Sequence, residues 1–232
     1  MNGFSIVIPV YNEERNINSL LEEIINKIDP NILYEIICVD DGSSDNSLKI
    51  VKNFQSIKNI NVLNHKKNLG QSKAIFTGIN NSKYNDIITI DGDGQNDPYD
   101  INKLLDVYMN NKDCLVSGIR EKRKDSFKKI ISSIVANKVR SYILKDRCKD
   151  SACGLKVFKK NIFLSFPYFD GIHRFLPSLF IGFGYGVKYM PITHRERLTG
   201  VSKYGTFDRL FKGIKDMIKV KKIINKRKIK NA

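Results

Sequence analysis

Between Asp86 and Pro98 the chain reads Asp-Ile-Ile-Thr-Ile-Asp-Gly-Asp-Gly-Gln-Asn-Asp-Pro. Ile87 to Ile90 is an apolar run of strand type. It stops at two carboxylates one residue apart, Asp91 and Asp93, with Asp97 following and glycines between. Charge of this kind is costly inside a sheet. The spacing therefore puts the carboxylates at the strand's end, where a cation and a charged ligand can meet them. Other chemistry-bearing residues recur at equivalent places: Glu13 follows a first apolar run, Asp40 and Asp41 a second, and Arg120 a later one.

Those positions need strands that end together. Phe4 to Val10 reads as a buried strand, and Tyr34 to Val39, the shorter Ile60 to Leu63, the run ending at Ile90, and Leu115 to Ser117 as further strands. Helical spacing separates them: Ile17, Leu20, Leu21, Ile24, Ile25 and Ile28; then Leu48, Val51 and Phe54; then Ala74, Ile75, Gly78 and Ile79; then Ile101, Leu104, Leu105, Tyr108 and Met109. Asn12, Asp45 and either Asn96 or Asp97 are the expected helix caps, with Pro98 in a first turn. Strands alternating with helices predict an α/β fold with a mostly parallel sheet, in which the loops after the strands share one crevice.

At 232 residues and 41% hydrophobic the chain can bury one substantial core. No apolar run reaches the roughly 18 residues of a membrane span, the longest candidate being the glycine-broken Leu176 to Val187. The first ten residues lack the pattern of a signal peptide. Cys38, Cys114, Cys148 and Cys153 fall in no metal-ligand spacing, which suggests reduced thiols in a cytosolic chain. The net charge of +16 is unevenly placed: residues 1–118 carry 11 basic against 16 acidic side chains, and the remainder carries 29 against 8. Lysine-rich composition accounts for the total but not for its confinement to one half.

Three segments, Ser5 to Glu13, Val39 to Asp45 and Asp91 to Pro98, resemble motifs of the inverting nucleotide-sugar glycosyltransferase family 2, which has the GT-A fold. Asp150 to Phe158, His173 to Pro177 and Arg197 to Tyr204 are similar to segments of its dolichol- and undecaprenyl-phosphate sugar synthases. The likeness runs over roughly residues 4–210, and it implies a Rossmann-like GT-A sheet. It further implies that Pro9, Tyr11, Glu13, Asp40 and Asp41 hold base and ribose. Mg²⁺ or Mn²⁺ is expected at Asp91, Asp93 and Gln95, with Asp93 the direct ligand and Asp91 turned toward ribose or metal-bound water. The donor is expected to be a UDP- or GDP-sugar.

If the acceptor is a polyprenyl phosphate, its anionic oxygen is the nucleophile and cationic grip matters more than a base. Arg120, Arg197 and Lys203 are the candidates for that grip. Were the acceptor a saccharide hydroxyl, as in a soluble enzyme of surface-polysaccharide synthesis, a base would be required, and Asp150 is the candidate by resemblance. His173 reads as a hydrogen-bonded structural residue beside the acceptor. Two basic amphipathic stretches, Phe127 to Ile143 and Phe207 to the terminal lysines, could lie on an anionic membrane surface. The expected division is a catalytic domain over 1–206 and a membrane-surface segment over 207–232, on the cytoplasmic face. A nucleic-acid-binding module, the reading from another class, is disfavoured because the acidic crevice would repel a polyanion.

Overall fold

The computed structural model describes residues 3–57, 59–120, 137–196 and 206–230, the last with side chains over 213–227. The first strand, β1 (Phe4–Val10), is apolar on both faces: Ile6, Ile8 and Val10 point one way and Val7 the other, as a period of two demands. Ile17, Leu20, Leu21 and Ile24 then form the buried stripe of α1 (Ile17–Lys27), which covers the first of those faces. β2 (Tyr34–Asp40), α2 (Ser47–Asn53), β3 (Ile60–Asn64) and α3 (Gln71–Asn80) continue the alternation. β4 (Asp86–Thr89), α4 (Asp100–Met109) and β5 (Leu115–Arg120) complete the part anticipated from periodicity.

Beyond β5 come α5 (helical over 137–144), β6 (Lys156–Lys159), α6 (Lys160–Leu164), α7 (Leu176–Gly182), β7 (Val187–Ile192) and α8 (Thr206–Lys230). The described strands form one seven-stranded sheet in the order β3-β2-β1-β4-β6-β5-β7. β1 pairs in parallel with β2 and β4, β2 with β3, and β5 with β7; β6 runs antiparallel between β4 and β5. Two consequences follow. The chain moves outward from β1 to β3 and then returns to the other side of β1 as β4, so β1 and β4 flank a topological switch point, where ligands of such sheets gather. Because β6 is reversed, its first residues, not its last, arrive at that same end.

One core lies between the sheet and α1, α2 and α4, with Tyr108 fully buried. The other, between the sheet and α3, α6, α7 and α8, is rich in phenylalanine: Phe158, Phe163, Phe166 and Phe180 meet in edge-on and tilted pairs. Val220 and Ile224 of α8 join it, and Gly182 of α7 makes room, since a Cβ there would sit 2.5 Å from the Ile224 side chain. The amphipathic face expected for this helix is thus divided. Met217 packs inward, while Ile214 and Ile218 are exposed at 43% and 52%. Phe207, Leu210 and Phe211 lie outside the described side chains. In α5, Arg140 is buried in an ion pair with Asp146 at 2.5 Å and does not belong to a solvated basic face; residues 127–135 fall outside the description. No described helix is long and apolar enough to cross a membrane.

Candidate active site

The loops after β1, β2 and β4 are tied together by short polar side chains. Asn12, expected as a cap, does not cap α1, which begins at Ile17. It takes a left-handed backbone (φ 54°), and its Oδ1 accepts the Ser44 N–H at 2.8 Å. The Glu13 N–H donates to Ser47 Oγ at 2.7 Å, and Asp45 accepts the N–H groups of Glu14 and Ser47. Asp97 accepts from the Tyr99 N–H one residue before α4 rather than from the helix itself.

Within this scaffold the paired acids of β2 separate. Asp41 accepts the N–H groups of Leu69 and Gly70 at 2.9 and 2.8 Å, and it meets His65 Nδ1 at 2.7 Å. Its carboxylate organises the turn into α3. Asp40, 1% exposed, accepts the Ser43 N–H at 3.1 Å through Oδ2, while its Oδ1 is buried with no protein partner. A buried carboxylate oxygen without a donor is costly unless a ligand supplies one.

Asp91 sits where the switch point predicts. Gln71 Nε2, at the start of α3, donates to its Oδ1 at 2.7 Å. Burial first, then the neighbouring Asp93 charge, push its carboxyl up to about 6; Lys156 and Arg120 act in the opposite direction, and Glu13 adds to the rise. Gly92 lets the turn press on β1, for a Cβ there would stand 2.9 Å from the Pro9 carbonyl. Gly154 presses on Asp91 from the other side: a Cβ would fall 2.2 Å from its Cγ. Asp93 accepts the Gln95 N–H at 3.2 Å, and Gln95 Nε2 donates to the Arg195 carbonyl at 3.4 Å.

Arg120 and Asp150 form a bidentate pair, Nε to Oδ2 and Nη2 to Oδ1 both at 2.7 Å, with the side chains 12% and 5% exposed. Burial pulls the guanidinium down, but its bonds to Asp150 outweigh that and hold it above its usual value. His173 Nδ1 meets Ser72 Oγ at 2.6 Å, the bonded role its surroundings suggested. Arg197 and Lys203 lie outside the described residues. The stem leading to them is fastened to the carboxylate loop: Arg195 N–H donates to the Gln95 carbonyl, and its guanidinium bridges Glu23 and Asp97.

Two participants, Gln71 and Arg195, carried no sequence signal for this place, and Lys156, inside the Asp150 to Phe158 segment, carried none for its role: it is a buried lysine whose Nζ donates to the Cys153 carbonyl. Their neighbours are created by pairing of distant segments, which residue type and spacing do not encode.

The sequence profile of glycosyl transferase family 2 matches residues 5–165. The chain belongs to that family. As a family 2 chain it is 32% identical over 222 residues to the dodecaprenyl-phosphate galacturonate synthase of Rhizobium johnstonii, covering 93% of its own length and 65% of that protein. It is 34% identical over 206 residues to the undecaprenyl-phosphate 4-deoxy-4-formamido-L-arabinose transferase of Edwardsiella ictaluri, covering 87% and 62%. It therefore spans somewhat less than two thirds of either relative. Its fold matches that of glucosyl-3-phosphoglycerate synthase from Mycobacterium tuberculosis, solved with Mn²⁺, UDP and glucosyl-3-phosphoglycerate. The TM-score is 0.70 at 16% identity, over 94% of this chain and 78% of that one. The GT-A architecture of this family 2 chain is thereby established.

The chain's own donor set fits a small hard cation. Asp91 and Asp93 repel each other across one turn, Lys156 and Arg120 offset that only in part, and no group of three acidic, histidine or cysteine ligands exists among the described residues. Mg²⁺ and Mn²⁺ in phosphate-handling sites use this economy, one or two carboxylates with the rest of the shell left to water and substrate.

Proposed function

We propose that this chain transfers a sugar, with inversion, from a UDP- or GDP-sugar to a polyprenyl phosphate, and that the transfer requires a divalent metal. The observation that carries the reading is the meeting of Asp91, Asp93, Glu13, Arg120 and Lys156 at the switch point of a family 2 chain. The printed activities of the two relatives, both sugar transfers to polyprenyl phosphate, support the acceptor class.

Tyr11 offers a face for the base, and Asp40 Oδ1 accepts a ribose hydroxyl or base N–H, which would satisfy that buried oxygen. Asp93, Asp91 and Gln95 would hold Mg²⁺ or Mn²⁺, which when bound neutralises charge on the departing diphosphate. Glu13 and Asp41 keep the nucleotide loops in place, and Pro9 supports the turn at Gly92. An acceptor phosphate oxygen attacks the anomeric carbon from the face opposite the nucleotide, the bond to the diphosphate oxygen breaks, and the configuration inverts.

The Arg120–Asp150 pair bears on the choice of acceptor. A carboxylate clamped bidentately by a guanidinium is a poor base, which disfavours a saccharide hydroxyl. A phosphate that is already ionised needs no base. Arg120 instead presents charge to the anion while Asp150 fixes its direction, and Arg197 and Lys203 add cationic grip. Exposed Ile214 and Ile218, with Lys215, Lys221 and Lys222 on the same helix, would rest α8 on an anionic bilayer, making the protein peripheral on the cytoplasmic face.

The test is incubation with bacterial membranes, Mn²⁺ or Mg²⁺, and a panel of radiolabelled UDP- and GDP-sugars, followed by organic extraction. Label should enter the lipid phase with one donor and vanish with Asp93→Ala. Label confined to water-soluble glycan would select the saccharide acceptor instead.

A further inference from the structure

Lys156 falls within the Asp150 to Phe158 segment but was given no role by it, and it is 2% exposed at the first position of β6. In antiparallel register it stands opposite Thr89 of β4 and Ser117 of β5. Directly paired residues share a face of the sheet, and positions two apart along a strand share it too. Lys156 therefore rises on the face of Thr89, whose strand leads two residues later to Asp91. The contacts agree. Lys156 Nζ donates to the Cys153 carbonyl, Thr89 Oγ1 donates to the Gly154 carbonyl at 2.7 Å, and Gly154 abuts the Asp91 carboxylate.

A buried ammonium is tolerated only with charge or several acceptors close by. Arg120 has its carboxylate in Asp150. Lys156 has a backbone carbonyl, and its charge acts on Asp91 against the repulsion of Asp93 and Glu13.

We propose that Lys156 is a resident counter-charge that makes metal and nucleotide bind as a pair: it weakens the hold of Asp91 and Asp93 on a bare divalent cation and strengthens the hold of the loaded site on a diphosphate. This rests on the donor-site reading above. A fixed positive charge acting on the Asp91 carboxylate repels an incoming cation and attracts the anion that follows, so its removal has opposite signs in the two steps. A residue that merely props the Cys153–Gly154 turn would, on removal, weaken both.

The experiment measures Mn²⁺ alone, by the electron paramagnetic resonance signal of the free ion, and then UDP and GDP by calorimetry at saturating Mn²⁺. It compares wild type, Lys156→Met and Lys156→Gln, with melting temperatures recorded alongside. Each variant should bind Mn²⁺ on the order of tenfold more tightly, and the preferred nucleotide on the order of tenfold more weakly. Glutamine keeps a donor for the Cys153 carbonyl, so an equal split in both variants assigns the effect to charge. If Lys156→Met melts below the assay temperature, the Lys156→Gln comparison decides alone. Both affinities falling together, or Lys156→Gln behaving as wild type, overturns the proposal and leaves the donor site standing. Wild-type protein that takes up neither Mn²⁺ nor nucleotide overturns the site reading as well.

Discussion

Gly154→Ala tests the site through a single methyl group. A Cβ at this position would lie 2.2 Å from Asp91 Cγ and 2.2 and 2.4 Å from its two oxygens, where ordinary contact begins near 3.4 Å. Something must therefore move by about 1 Å. The backbone cannot easily retreat. Thr89 Oγ1 holds the Gly154 carbonyl at 2.7 Å, Lys156 holds the Cys153 carbonyl, and the Gly118 N–H donates to the Leu155 carbonyl at 2.9 Å. Gly154 is not in a left-handed conformation, so alanine brings steric overlap without backbone strain. The carboxylate yields, leaves Gln71, and is misplaced toward Asp93. Overpacking of this kind costs about 1–3 kcal/mol of stability, and a displacement of about 1 Å at a reacting centre costs on the order of 100-fold in rate. The assay pairs Mn²⁺ affinity with the rate of lipid-linked product formation. Gly184→Ala is the control: its φ of +91° makes alanine strained, but nothing lies within 4 Å, so it should lose stability while metal affinity holds. A Gly154→Ala protein with wild-type Mn²⁺ affinity and rate would refute the placement of Asp91 at the metal.

Further outcomes follow from the same geometry. Arg120→Met removes the bidentate clamp from buried Asp150 and should lower stability in chemical denaturation, whereas the Arg120→Met/Asp150→Asn pair should recover part of the loss; additive losses would contradict the bidentate clamp. Because burial and Asp93 raise Asp91 to about 6, protons compete with metal, and Mn²⁺ affinity measured across pH 5–8 should fall as the pH drops through that value. The sign for folding is the reverse: a raised carboxyl favours the folded metal-free protein below its unfolded value of roughly 4, and that contribution fades as the pH rises through 6. Asp40→Asn should weaken UDP or GDP binding about tenfold in calorimetry with little change in melting temperature, since its Oδ1 has no protein partner to lose. Ile214→Asp/Ile218→Asp should reduce sedimentation with anionic vesicles while leaving binding of the soluble donor unchanged; unaltered sedimentation would remove α8 from the membrane.

The half of the molecule before Gly118 was legible because each strand is mostly apolar and each loop begins with a polar break. Burial on both faces of a parallel sheet writes itself into sequence in that way. The later half hides its strands. β6 begins and ends in lysine, one buried against a carbonyl and the other paired with Asp113, and β7 is an edge strand containing Lys188 and Pro191. Neither has a period that local reasoning detects. In the site, the Asp91-Gly92-Asp93 turn could be placed at a strand end because glycine and charge exclude a strand interior. The division between Asp40 and Asp41 could not: adjacent residues of one type are distinguished only by what the fold brings to each, here the Leu69–Gly70 turn and His65 for one and the Ser43 N–H for the other. Asn12 bridges two loops instead of capping α1 for a related reason, since a short polar side chain serves a helix cap or an inter-loop bridge equally well.

The nucleophile proposed for the transfer is a prenyl phosphate. Purified protein given Mn²⁺, undecaprenyl phosphate in detergent and each labelled UDP- or GDP-sugar in turn tests it with no other acceptor present. Organic-soluble label is expected with one donor, in proportion to the prenyl phosphate added and absent with the unphosphorylated prenol. Label that forms equally with the prenol, or nucleoside diphosphate released at a rate indifferent to the prenyl phosphate for every donor, would contradict it.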